Sequence, residues 1–121
     1  MDVLVGIGSP DESVAALERS ARQAAATGDD VTVAIVGDHT AEARERLAAD
    51  AAAVADDAAI EISVRQVEGN PGSQLVDIAE DEGFDELVIG GGSTSPMGKI
   101  TIGSTAEFVL LNAHTTVTLV R

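Results

Sequence analysis

A chain of 121 residues is expected to form one domain, residues 1–121, whose core takes up roughly two thirds of the surface that its unfolded state exposes. Its 21 acidic residues against 7 basic ones give a net charge of −14, which argues against nucleic acid and anionic membrane as long-range partners. Cysteine is absent and the two histidines, His39 and His114, are far apart in sequence, which excludes a disulfide framework and leaves no thiolate metal site.

Val3 to Ile7 is a continuous apolar run closed by Gly8, the pattern of a strand buried on both faces. No basic leader segment and no long apolar stretch accompanies it, so a soluble cytoplasmic protein is expected. The segment "SPDESVAALERSARQAAATG" predicts a first helix, with Ser9 as N-cap, Pro10 at the first helical position, Glu12 closing a capping box and Gly28 as terminator. "DVTVAIVG" predicts a second strand and "TAEARERLAADAAAVADDA" a second helix with its acids outward. "IEISVRQV" alternates apolar and polar residues, as a strand near a sheet edge does. "NPGSQLVDIAEDEG" reads as a short helix opened by Asn70 and Pro71 and ended by Gly83. "FDELVIGGG" is the fourth strand, "GSTAEFVLLNAH" the fourth helix and "TTVTLV", Thr115 to Val120, the fifth strand. Five strands alternating with four helices predict an α/β fold, a parallel sheet with right-handed crossovers and helices on both faces. Ligands of such folds bind beyond the carboxyl ends of the strands, where the winding reverses.

Two helix N-termini compete as anion sites, since each offers amides and a partial positive charge. The first is already served by Ser9, Glu12 and Asp11, and Pro10 has no amide to give. The fourth follows a glycine-rich loop that contains Lys99, the single lysine of the chain, and no acid from Gly90 to Thr105. Ser104 and Glu107 also form an S-x-x-E capping box, which needs no ligand; a serine hydroxyl can cap and still donate to a phosphate oxygen. Gly98 and Gly103 are equally accounted for as turn glycines with positive φ. A P-loop does not fit, because Ser93 stands where its first glycine belongs and Ile100 where its magnesium-binding hydroxyl belongs. A flavin site of flavodoxin type lacks its aromatic rings, as the chain has no Trp or Tyr.

With these elements in place, the chain resembles the universal stress protein family nearly end to end. "VLVGIGSPDESVAALERSA" is similar to the family's first strand and helix, "VEGNPGSQLVDIAEDEGFDELVIG" to its third helix and fourth strand, and "GGGSTSPMGKITIGSTAEFVLLNAHTTVTLV" to its signature loop and C-terminus. The resemblance implies a Rossmann-like sheet of the adenine nucleotide alpha hydrolase type in the order 3-2-1-4-5, with the loops after strands 1 and 4 across one crevice. It implies ATP, with magnesium, as a ligand of the loop between strand 4 and helix 4. Gly90 fits the first glycine of the family's loop signature and Gly103 with Ser104 fits its end, while Ser93 replaces the second glycine. Lys99 and Thr105 belong to the same anion site. Val36 is the residue placed to meet adenine through its backbone, and Gly8 stands where nucleotide-binding members carry an aspartate for the nucleoside. An antiparallel homodimer through Thr115 to Val120 is implied as well, and that strand would otherwise be an uncovered apolar edge.

No pair of carboxylates has a catalytic spacing; His39 reads as a turn residue near the crevice and His114 as a cation at a helix C-terminus. The resemblance thus implies a stress-response module that binds a nucleotide weakly, and the residues add the expectation of at most slow ATP hydrolysis with no catalytic or metal residues; the alternative is a nucleotide-free dimeric interaction module. The scarcity of lysine and the dense carboxylates suit a halophilic cytosol, where the Debye length falls to about 3 Å at 1 M salt and self-repulsion nearly vanishes.

Overall fold

The computed structural model describes residues 1–8, 10–90, 93–94, 100–101 and 103–120. In chain order its elements are β1 (Asp2–Ile7), α1 (Pro10–Thr27), β2 (Asp30–Ile35), α2 (Ala41–Ala58), β3 (Ile62–Gln66), α3 (Pro71–Asp81), β4 (Glu86–Gly90), β5 (Ser93–Thr94), β6 (Ile100–Thr101), α4 (Ser104–Asn112) and β7 (Thr116–Val120). The main sheet runs β3-β2-β1-β4-β7, and each of its pairings is parallel. Apart from the short antiparallel ladder of β5 with β6, which was not expected, this is the strand order the resemblance implied, β7 being the fifth strand of the sheet.

The order follows from where apolar side chains must go. Successive residues of a strand face opposite sides, and β1 is apolar on both. Val3, Val5 and Ile7 cluster with Ala16, Leu17 and Ala24 of α1 and with Leu47 and Ala51 of α2. Leu4 points the other way, into a cluster with Leu75, Val76 and Ala79 of α3 and Ala106 and Val109 of α4. A strand that needs cover on both faces belongs in the middle of the sheet. The two edges are β3 and β7, and the alternating polar residues read in β3 fit that position, with Ser63 and Val64 exposed.

Helix ends were legible in most cases. Thr40 caps α2, its Oγ1 accepting from the Ala43 amide at 3.1 Å, and Asn70 caps α3, its Oδ1 accepting from the Ser73 amide at 3.0 Å. Gly28 and Gly83 follow α1 and α3 with φ of 81° and 72°, values at which a side chain would be strained. The expected cap of α1 rests on Ser9, which lies outside the described residues.

Candidate functional site

The chain winds from β1 through β2 to β3 on one side, then crosses to β4 and β7 on the other. The winding therefore reverses between β1 and β4, and the carboxyl ends of these two strands, at Gly8 and Gly90, flank the crevice. Gly6 is in register with Ala34 of β2 and with Ile89 of β4, so the exits of β1, β2 and β4 lie side by side. Gly8, Val36 and Gly90 are thus brought to one edge of the sheet.

The front of α4 differs from those of α2 and α3. Its N-cap is Gly103, with φ −66° and ψ 159°, and no side chain caps it; Ser104 is already the first helical residue. The capping box read from Ser104 and Glu107 is not formed, because the first helical bond, from the Glu107 amide to the Gly103 carbonyl at 2.9 Å, sets the register one residue earlier. The amides of Ser104, Thr105 and Ala106 precede that bond and receive no acceptor from the helix itself. Positive φ does not explain Gly103 either. Its φ is one that any residue adopts, and a Cβ built on it would meet nothing within 4 Å. Without a side chain, the N-cap offers no oxygen to the amides of Ser104, Thr105 and Ala106, which lie at the positive end of a helix. Ser104 is exposed and Thr105 half-buried beside it.

The rest of the anticipated constellation is placed in part. Ser93 pairs with Thr101 in the β5–β6 ladder, so the backbone folds back on itself inside the glycine-rich loop; Lys99 and Gly98 lie outside the described residues. At Gly8 the space allows a side chain, since a Cβ would sit in ordinary contact, 3.7 Å from Cγ2 and from the carbonyl oxygen of Val36. The Val36 amide donates to the Ile7 carbonyl at 2.9 Å, which leaves the Val36 carbonyl as the backbone group of this residue that can face a ligand. Among the described residues no group of three His, Asp or Glu side chains is arranged to hold a metal ion.

Two contacts at this edge had not been anticipated. His39 Nε2 lies 3.0 Å from the Val36 carbonyl, and Arg44 spans the exits of two strands, donating to the Gly37 carbonyl and to Gln66 Oε1, both at 3.0 Å. Gly37, at φ 97°, makes the reversal that returns His39 toward Val36, and a glycine in a V-G-D-H turn was the available signal. His114 is engaged elsewhere: its amide donates to Glu80 Oε1 at 2.7 Å, and its exposed ring lies 3.4 Å from the same oxygen.

The profile of the Universal stress protein family matches residues 1–121. A universal stress protein of Methanocaldococcus jannaschii is 34% identical over 62 residues, which are 51% of this chain and 36% of that protein; the matched segment thus spans about a third of that relative. Among solved structures, a universal stress protein in complex with cAMP superposes with a TM-score of 0.81 at 28% identity, covering 100% of this chain and 96% of the other. The universal stress protein from Archaeoglobus fulgidus in complex with dAMP gives a TM-score of 0.76 at 23% identity, covering 100% of this chain and 98% of the other, a likeness of fold. No described helix is long and apolar enough to cross a membrane.

Proposed function

Since the chain belongs to the universal stress protein family, we propose that it binds an adenine nucleotide at the carboxyl edge of its sheet, with the phosphates on the front of α4. One observation carries this reading: the last helix opens on a glycine without a side-chain cap, so neither the helix nor its cap supplies an acceptor to its first amides. The relative of 28% identity, aligned over all of this chain, was solved with cAMP, which supports the ligand class. In this reading the amides and hydroxyls of Ser104 and Thr105 take the phosphoryl oxygens, assisted by Lys99 and by the loop backbone from Gly90 through Ser93. The Val36 carbonyl accepts from the base, and the ribose lies over Gly8. ATP with magnesium is the largest ligand proposed, and the protein acts as a binding module that signals or assembles in a stress response. Phosphate release measured with ATP and Mg²⁺ tests that last point, because turnover at enzyme-like rates would contradict it.

Calorimetry with cAMP, AMP and ATP in molar KCl is the direct test; absence of heat at millimolar nucleotide overturns the reading. Gly8→Asp sharpens it. A Cβ at position 8 meets only ordinary contacts, and a charge-assisted hydrogen bond is worth about 1.5–3 kcal/mol, so affinity should rise about tenfold to somewhat over a hundredfold. An unchanged constant would place the ribose elsewhere.

The same family membership supports a homodimer through β7. Of the two edge strands, β3 carries Arg65, paired with Glu82 at 2.6 Å, whereas β7 has no charged residue from Thr116 to Val120. Nearby α4 leaves Leu111 76% exposed. An uncharged apolar edge is one that soluble proteins cover, and a second copy of the strand covers it symmetrically. Light scattering in molar KCl should give twice the monomer mass; a monomer at micromolar concentration would rule this out.

A further inference from the structure

We propose that His39 is an internal stand-in for the nucleotide base, holding the acceptor that the base must take and thereby setting both affinity and base choice; this rests on the reading of Val36 given above. The end of β2 presents three consecutive carbonyls, each with a donor supplied by the protein. Ile35 accepts from the Val67 amide at 2.9 Å, Val36 faces His39 Nε2 at 3.0 Å, and Gly37 accepts from Arg44 at 3.0 Å. The Val36 amide is engaged too, with Ile7. A ligand base can reach Val36 only by sharing or displacing one of these donors.

The three are not equally held. The Ile35 contact belongs to the backbone continuation of the β2–β3 pairing, and moving it would break the sheet. Arg44 is fixed by a second bond to Gln66. Among the described residues His39 makes a single side-chain hydrogen bond, from a half-buried turn position, so rotation about its own χ angles releases it without disturbing the backbone. A carbonyl can only accept, so the nitrogen 3.0 Å away is the donor of this contact. The ring also lies against the chain reversal, Nε2 being 3.3 Å from where a Gly37 Cβ would stand. A ring N–H aimed at a main-chain carbonyl reproduces the donor of an exocyclic amino group on a purine. A base with an amine at that edge exchanges one hydrogen bond for another when His39 swings away; a base with a carbonyl there opposes oxygen to oxygen and leaves the buried acceptor unsatisfied, which is the costly arrangement. The site therefore favours 6-aminopurines, and a base that takes the place of His39 bears the loss of the His39 contact.

The test is calorimetry on wild type and His39→Ala with AMP, IMP and inorganic phosphate. Removing the competitor should tighten AMP roughly 2- to 10-fold, the equivalent of one net hydrogen bond, while phosphate affinity stays the same and AMP remains preferred over IMP. In ¹⁵N spectra of wild type, the Nε2–H signal of His39 should shift on addition of AMP and stay in place on addition of phosphate. AMP affinity that is unchanged or weaker in His39→Ala overturns the proposal, as does equal tightening of AMP and phosphate. A wild type that binds phosphate but no nucleotide removes the underlying base assignment, and one that binds neither removes the nucleotide reading altogether.

Discussion

Gly103→Asp should weaken nucleotide binding by about a hundredfold or more, close to 3 kcal/mol, while leaving the fold as stable as before or slightly more so. The backbone at Gly103, φ −66° and ψ 159°, is the extended conformation of an N-cap, and the space around its Cβ is open. A Cβ is accommodated there, and aspartate is among the best N-cap residues, preferred over glycine by only a few tenths of a kcal/mol. Its carboxylate would accept from the same amides of Thr105 and Ala106 that a phosphate needs. It would also place a negative charge within hydrogen-bonding reach of the ligand, where unit charges 4 Å apart repel by about 1 kcal/mol in bulk water and about 4 kcal/mol near a protein surface. Melting curves should show a small rise in Tm, and calorimetry with AMP should show the affinity lost. Gly103→Ala is the control, because a methyl group meets nothing and brings no oxygen, so binding should stay within a few-fold of wild type. If Gly103→Asp binds as wild type does, the amides of α4 are not the phosphate site.

The second large effect lies in the core beneath the crevice, where Leu75→Ala should cost about 2–5 kcal/mol out of the 5–15 kcal/mol typical of a whole domain. Leu75 is 1% exposed and closes over Gly6 of β1: a Cβ on Gly6 would stand 2.7 Å from Leu75 Cδ1 and 2.9 Å from Cδ2. Glycine inside a strand is itself a cost of about 0.5–1 kcal/mol relative to alanine. In open space Gly6→Ala would therefore stabilise. Here the methyl collides with a fully packed leucine, and overpacking costs about 1–3 kcal/mol, so the collision decides the sign and the variant should be less stable. In a Leu75→Ala background the colliding atoms are gone and the added methyl enters the vacated space. Gly6→Ala should then stabilise, giving a coupling within the range of about 0.5–3 kcal/mol seen for residues in contact. Urea unfolding of the four proteins of this cycle measures it; the same sign for Gly6→Ala in both backgrounds would show that Leu75 is not what excludes a side chain from position 6.

The alternation of elements was legible because the signals are local. Val3 to Ile7 reads as a doubly buried strand from its composition alone, and Asn70, Pro71, Gly28 and Gly83 mark helix ends through hydrogen bonds and φ values that depend on a few neighbouring residues. The glycine-rich, acid-free character of Gly90 to Thr105 is likewise a property of the sequence, and so is the apolar, uncharged C-terminal strand. These features determine the α/β class and single out the front of the last helix as the proposed anion site.

Tertiary structure decided what depends on register and on distant partners. The S-x-x-E pattern fits a cap at Ser104, but the helix begins one residue earlier, and only the bond from the Glu107 amide to Gly103 distinguishes the two registers. Strand order rests on side chains far apart in sequence: Gly6 faces Leu75 across 69 positions of chain because the shape of α3 requires its absence of a Cβ. The claim of His39 on the Val36 carbonyl arises from a single chain reversal at Gly37, and no periodicity announces it. Composition and periodicity constrain each segment separately, whereas an uncapped helix front or an occupied carbonyl exists only once packing has fixed which segment meets which.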